Sequence, residues 1–160
     1  MIRDLTAADY ASTIALNAES EHFLSPLDNT CLQHLHAQAA YARVLVAGDE
    51  VAAFLLALRE RADYDSPNYR WFAERYAAFL YIDRVVVSVA QQGRRLGARL
   101  YEDLFAYARA QGVPRVTCEF DVEPPNEASR RFHAGFGFRE VGTQRVAGGR
   151  KQVSLQEALL

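Results

Sequence analysis

Two short runs of this chain carry residue types that could hold a phosphorylated ligand and move a proton. The first is Gln92-Gly93-Arg94-Arg95-Leu96-Gly97-Ala98, which follows the apolar run Phe79 to Val89. It opens an amphipathic stretch with Leu96, Leu100, Leu104, Phe105 and Ala108 on one side. A glycine-containing turn at a helix start leaves backbone N–H groups pointing outward, and together with the helix dipole they bind phosphate. Arg94, Arg95 and Arg99 concentrate positive charge there, in a chain whose net charge is −2. The second run spaces Asn126, Ser129, His133, Gly137 and Phe138 along a short helical segment. Asn126 is placed to cap that helix, and His133 belongs to the residue type that titrates near neutral pH. Two carboxylates, Asp83 and Glu119, lie inside apolar strands. A carboxylate so placed needs a partner, and a structural ion pair with an arginine is the simplest one.

The elements that must position these residues follow from period and punctuation. Thr6 with Asp9 three residues on reads as a helix N-cap, and Tyr10, Ile14 and Leu16 give that helix an apolar face. Glu19 to His22 reads as loop. Asp28 or Asn29 caps a second helix with Leu32, Leu35 and Ala39. Arg43 to Ala47, a Gly48-Asp49 turn and Val51 to Leu58 form a hairpin. Asp63 to Tyr76 reads as irregular and aromatic, with Tyr64, Tyr69, Trp71, Phe72 and Tyr76. It is open to three readings: a pocket for an amine, a satellite hydrophobic cluster or a homodimer surface. Phe79 to Val89 is a strand, Gly93 to Gln111 a helix stopped by Gly112-Val113-Pro114, and Val116 to Asp121 a strand. A strand–helix–strand unit of this kind makes its two strands parallel. Phe138 to Arg145 and Lys151 to Leu155 close the chain as a hairpin. The expected fold is therefore α/β in the mixed sense, with a largely antiparallel central sheet, one parallel strand pair and flanking helices, in a single domain over residues 1–160.

Composition excludes several classes. Half the residues are hydrophobic and 24% are charged, as in ordinary globular proteins. The charge balance offers no sequence-independent grip on nucleic acid. No apolar stretch is long enough to span a bilayer, and the charged start MIRDLTAADY does not read as a signal peptide. Cys31 and Cys118 read as two free thiols in a reduced cytoplasm, with no metal site. His34 and His36 lack ligand-spaced partners and read as packed or solvent-facing.

Taken together, the two runs resemble the acetyl-coenzyme A site of the GNAT N-acetyltransferase superfamily. The family's phosphate turn reads Gln or Arg, two residues, Gly, one residue, then Gly or Ala. Gln92 and Gly97 hold the first and last places, while Arg95 stands at the middle glycine. There it either widens the loop or contacts phosphate itself. The second run resembles the family's Asn-x-x-Ala-x-x-x-Tyr-x-x-x-Gly-Phe, with Ser129 at the Ala and His133 at the Tyr. The resemblance implies the GNAT fold, whose parallel strands splay, and implies acetyl-CoA as cofactor. Gln92, Gly93, Arg94, Arg95, Leu96, Gly97 and Ala98 would bind its phosphates. Backbone groups of Val85, Val86 and Val87 would bind its pantetheine arm, with Asn126 and Ser129 as further contacts. His133 would stand as the general acid toward the departing thiolate, and Asp83 as a candidate base on the face shared with Tyr81, Val85 and Val87. Histone acetyltransferases of the superfamily carry their base two residues earlier, where this chain has Tyr81. Glu19, Tyr64, Trp71 and Glu119 fall on the expected acceptor side, which would receive a small-molecule or peptide amine.

A narrower similarity, in Tyr64 to Phe72, Tyr81 to Arg84 and Pro124-Pro125-Asn126, points to a bacterial GNAT branch of predicted acetyltransferases and names no substrate. Arg95 and His133, as departures from the family pattern, support a second reading: a CoA-binding sensor or partner module without turnover. A nucleotide-binding α/β domain is a third, against which the chain lacks any Gly-x-x-x-x-Gly-Lys-Ser/Thr run.

Overall fold

The computed structural model describes residues 1–21 and 24–160. His22, at the end of the expected first loop, lies outside the described residues. These form strands β1 (Ile2–Asp4), β2 (Tyr41–Ala47), β3 (Glu50–Arg59), β4 (Leu80–Val87), β5 (Arg115–Glu123), β6 (Arg139–Val146) and β7 (Lys151–Leu159). The helices are α1 (Tyr10–Ala18), α2 (Asn29–Gln38), α3 (Pro67–Ala73), α4 (Leu96–Ala110) and α5 (Glu127–Gly135). The strands make one sheet in the order β1-β2-β3-β4-β5-β7-β6. β4 and β5 run parallel, in register at Leu80↔Val116 and Tyr81↔Thr117, as the intervening helix requires. The pairs β1·β2, β2·β3, β5·β7 and β6·β7 are antiparallel. This is the expected mixed sheet. By contacts the chain divides into two compact units, Met1–Leu58 with Ile82–Tyr107, and Arg59–Tyr81 with Ala108–Leu160.

In the first unit a 3₁₀ turn, Ala7–Asp9, leads into α1 and is capped by Thr6, whose N–H donates to Asp9 Oδ2 at 2.9 Å. Arg3 clamps the same carboxylate from both ends, at 2.8 and 2.9 Å. Asp28, not Asn29, caps α2 by accepting the Cys31 N–H at 2.8 Å. β3 is buried without a break from Ala52 to Leu58, which is why its sequence is continuously apolar instead of alternating. α4 is anchored to β2 through Asp103, which accepts from the Tyr41 hydroxyl at 2.7 Å and from Arg43 at 2.6 Å. Cys31 is exposed and Cys118, in the second unit, is buried, and neither is in a disulfide.

The second unit corrects one expectation. The segment read as irregular contains α3, which opens with Ser66 at the N-cap position and Pro67 in the first turn. Tyr69 and Phe72 are buried, and their rings meet those of Phe79 and Tyr81 at centroid distances of 5.6 to 6.3 Å. These rings are core packing. Trp71 lies against β6 at Gly142, where an added Cβ would stand 2.5 Å from the indole Cζ2. The Arg75 guanidinium covers the same ring at 3.9 Å. Gly142→Ala is therefore expected to displace Trp71 and to cost about 1–3 kcal/mol, the usual range for overpacking. Urea unfolding checks this, and an unchanged midpoint would show that the indole can move aside freely.

Candidate active site

The turn from Gln92 to Gly97 is assembled in the first unit. β4 ends at Val87, and the Ser88 N–H donates to the Ala52 carbonyl at 2.8 Å. A 3₁₀ turn, Val89–Gln91, follows, and its first N–H is accepted by Glu19 Oε1 at 2.9 Å. Gln92 to Arg95 are exposed. Gly93 has φ +88° and Arg95 φ +59°, so the backbone is left-handed at both. Leu96 then starts α4, one turn later than the glycine expected to open it, and the Arg95 carbonyl accepts the Arg99 N–H at 3.1 Å. A helix cannot pair its own first N–H groups, so those of Leu96, Gly97 and Ala98 are available to an anion. Arg94 turns back to Gln91 Oε1 at 2.9 Å. Exposed turn, helix start and the Arg94, Arg95 and Arg99 side chains suit a diphosphate. Val85 and Val87 are half-buried and Val86 is buried on the last turn of pleat before this loop.

Asp83 does not present an open carboxylate. Its Oδ2 lies 2.6 Å from Arg84 Nε, and both side chains are only 4% exposed. The Arg84 guanidinium reaches on to Asn17 Oδ1 at 3.0 Å and to the carbonyl and hydroxyl of Ser25 at 3.2 and 3.3 Å. This is a buried ion pair that ties β4 to the end of α1 and the loop beyond it.

In the second unit, Tyr81 donates its hydroxyl to Glu119 Oε1 in a very short hydrogen bond. The register Tyr81↔Thr117 explains the meeting, because Glu119 is two residues beyond Thr117 and so on its face. Glu119 is half-buried, whereas Tyr81 is fixed in the aromatic core. Tyr64 packs edge-on against Tyr69, and Trp71 is held as described. Asn126 caps α5 by accepting the Ser129 N–H at 3.3 Å, as expected.

His133 is 6% exposed and ringed by Phe120, Phe132 and Phe138 at centroid distances of 5.2 to 5.6 Å. Its Nδ1 is 2.7 Å from the Ser129 carbonyl, which can only accept, so the neutral ring carries its proton there. The ring can then donate from Nε2 only as imidazolium. Burial pushes its pKa below the usual 6.5, with the bond to Ser129 opposing the shift in part. An acid at this position works from a minority form at neutral pH.

The same shift has a stability consequence. The unfolded ring takes up a proton near 6.5 and the folded ring only at lower pH, so the folded state binds fewer protons in between. The stability contributed by the neutral packed ring is present in full above about pH 6.5 and is lost as pH falls through the lowered folded value. His133→Phe should flatten the fall of Tm with acid in that window, and parallel curves for parent and variant would exclude titration of the ring there.

The mixed seven-stranded sheet, with helix α4 crossing between its parallel strands β4 and β5, is the architecture that the resemblance implies. The sequence profile described as Acetyltransferase (GNAT) family matches residues 5–138, and the chain belongs to that family. Over 64 residues it is 44% identical to a phosphinothricin N-acetyltransferase of Streptomyces coelicolor, a match covering 40% of this chain and 36% of the relative. The chain thus matches little more than a third of that relative's length. The fold is shared with Ard1 from Thermoplasma volcanium, at TM-score 0.81 and 14% identity, covering 100% of this chain and 97% of the other. It is also shared with a ribosomal-protein-alanine N-acetyltransferase from Brucella melitensis, at TM-score 0.75 and 20% identity, covering 100% and 99%.

Proposed function

We propose that this chain transfers an acetyl group from acetyl-CoA to a primary amine by direct attack. The observation that carries the reading is the exposed Gln92–Arg95 turn, left-handed at Gly93 and Arg95, which hands its chain to the first N–H groups of α4. Acetyl-CoA supplies the activated acetyl thioester. In this reading the N–H groups of Leu96 to Ala98, with Gln92 to Arg95, hold its phosphates. Backbone groups of Val85 to Val87, with Asn126 and Ser129, orient the pantetheine arm. Glu119, held by Tyr81, takes the proton from the acceptor ammonium, because the Asp83 carboxylate is paired with Arg84. A thiol of ordinary pKa near 8.5 leaves readily as the thiolate, so His133 assists as an acid only in its imidazolium form. Tyr64 stands with Glu119 on the acceptor side. Glu19 and Trp71 act as wall residues, since Glu19 is bonded to Val89 and Trp71 is packed on Gly142. Two cysteines outside any disulfide suit a cytoplasmic protein. Among the described residues no helix is long and apolar enough to cross a membrane.

The similar proteins are named for phosphinothricin and for ribosomal-protein alanine, so a test panel should span small amines and peptide N-termini. Calorimetry with acetyl-CoA and turnover on that panel test the reading. Arg94→Glu should weaken acetyl-CoA binding more than Arg109→Glu, which lies at the far end of α4. Equal effects would leave only a diffuse charge attraction. Tight binding without turnover on any amine would favour the sensor reading, which the buried His133 also supports.

A further inference from the structure

We propose that Arg95 is itself a phosphate-binding side chain of the turn, retained in a backbone conformation that glycine would adopt more easily. The inference rests on the proposed acetyl-CoA site and deepens it. A non-glycine residue at φ +59° is uncommon, because its Cβ crowds the backbone there. Arg61 and Ala147, both in turns, share the left-handed backbone. Arg95 is exposed, and among the described residues no hydrogen bond or ion pair engages its guanidinium. Arg94, its neighbour, is occupied with Gln91.

The position of Arg95 gives the side chain its use. Its carbonyl receives the first hydrogen bond of α4, so its Cα adjoins the N–H groups of Leu96, Gly97 and Ala98. A guanidinium leaving the chain at that point carries a fork of donors that matches two phosphate oxygens. The left-handed backbone keeps the turn in the shape a glycine would give it. The loop therefore need not widen, and the arginine adds a charge contact that glycine cannot supply.

Binding of CoA and of dephospho-CoA, measured by calorimetry over a salt series, tests this in the parent and in Arg95→Gly, Arg95→Asn and Arg95→Lys. Glycine and asparagine both tolerate the left-handed backbone. The Gly variant should keep or raise the Tm, which excludes unfolding as the cause of any loss. Gly and Asn should each weaken CoA binding by about tenfold, equivalent to about 1.4 kcal/mol, and should flatten the dependence of Kd on salt. Lys should restore most of the affinity. An equal loss for both ligands assigns the contact to the pyrophosphate, and a loss confined to CoA assigns it to the 3′-phosphate; either supports the proposal. Gly and Asn variants that bind CoA as tightly as the parent, with the same salt dependence, would overturn it and leave the acetyl-CoA site standing. A parent that binds neither ligand would overturn both.

Discussion

Glu119→Gln is expected to lower turnover by ~100- to 10,000-fold, the usual worth of a positioned acid or base, with acetyl-CoA affinity unchanged. Glutamine preserves the shape of the side chain and can still accept the Tyr81 hydroxyl, but it has no carboxylate to receive a proton. The acidic limb of the parent's pH–rate profile, where protonation silences the base, should vanish in the variant. Tyr81→Phe should do less, because it removes only the group that holds Glu119 in place. The assignment is lost if Glu119→Gln keeps the parent's rate and its acidic limb, since the proton would then leave through water or another residue.

Asp83→Asn is expected to act on the fold. It leaves the guanidinium of Arg84, 4% exposed, without its carboxylate. Removing one partner of a buried ion pair typically costs 3–5 kcal/mol, roughly, because the remaining charge stays desolvated and uncompensated. Asn17 and Ser25 are neutral and offset only part of that. Chemical denaturation should show the loss with or without ligand. A variant of parental stability but crippled turnover would return Asp83 to the role of base.

Local chemistry was the legible part of the sequence. A glycine turn between an apolar strand and an amphipathic helix needs no tertiary information, and neither do the Asp28 and Asn126 caps. What escaped depended on packing. Adjacent strand residues normally face opposite sides, so a pairing of Asp83 with Arg84 has no signature in the spacing. The meeting of Tyr81 with Glu119 becomes visible only once the parallel register is known. α3 carried its Ser66-Pro67 start signal, but the density of aromatic residues after it obscured the helix. For His133 the position and residue type were readable, while the burial that sets its protonation was not.

Trp71 is the single tryptophan of the chain, and its ring is held by Arg75, just past the end of α3, and by the bare backbone at Gly142. Intrinsic fluorescence excited in the indole band is therefore an optical reporter of the second compact unit alone. Far-UV circular dichroism sums over both units. Overlaid melting curves from the two signals measure cooperativity directly: coincidence marks a chain that unfolds all at once, and an early indole transition marks a second unit that opens by itself.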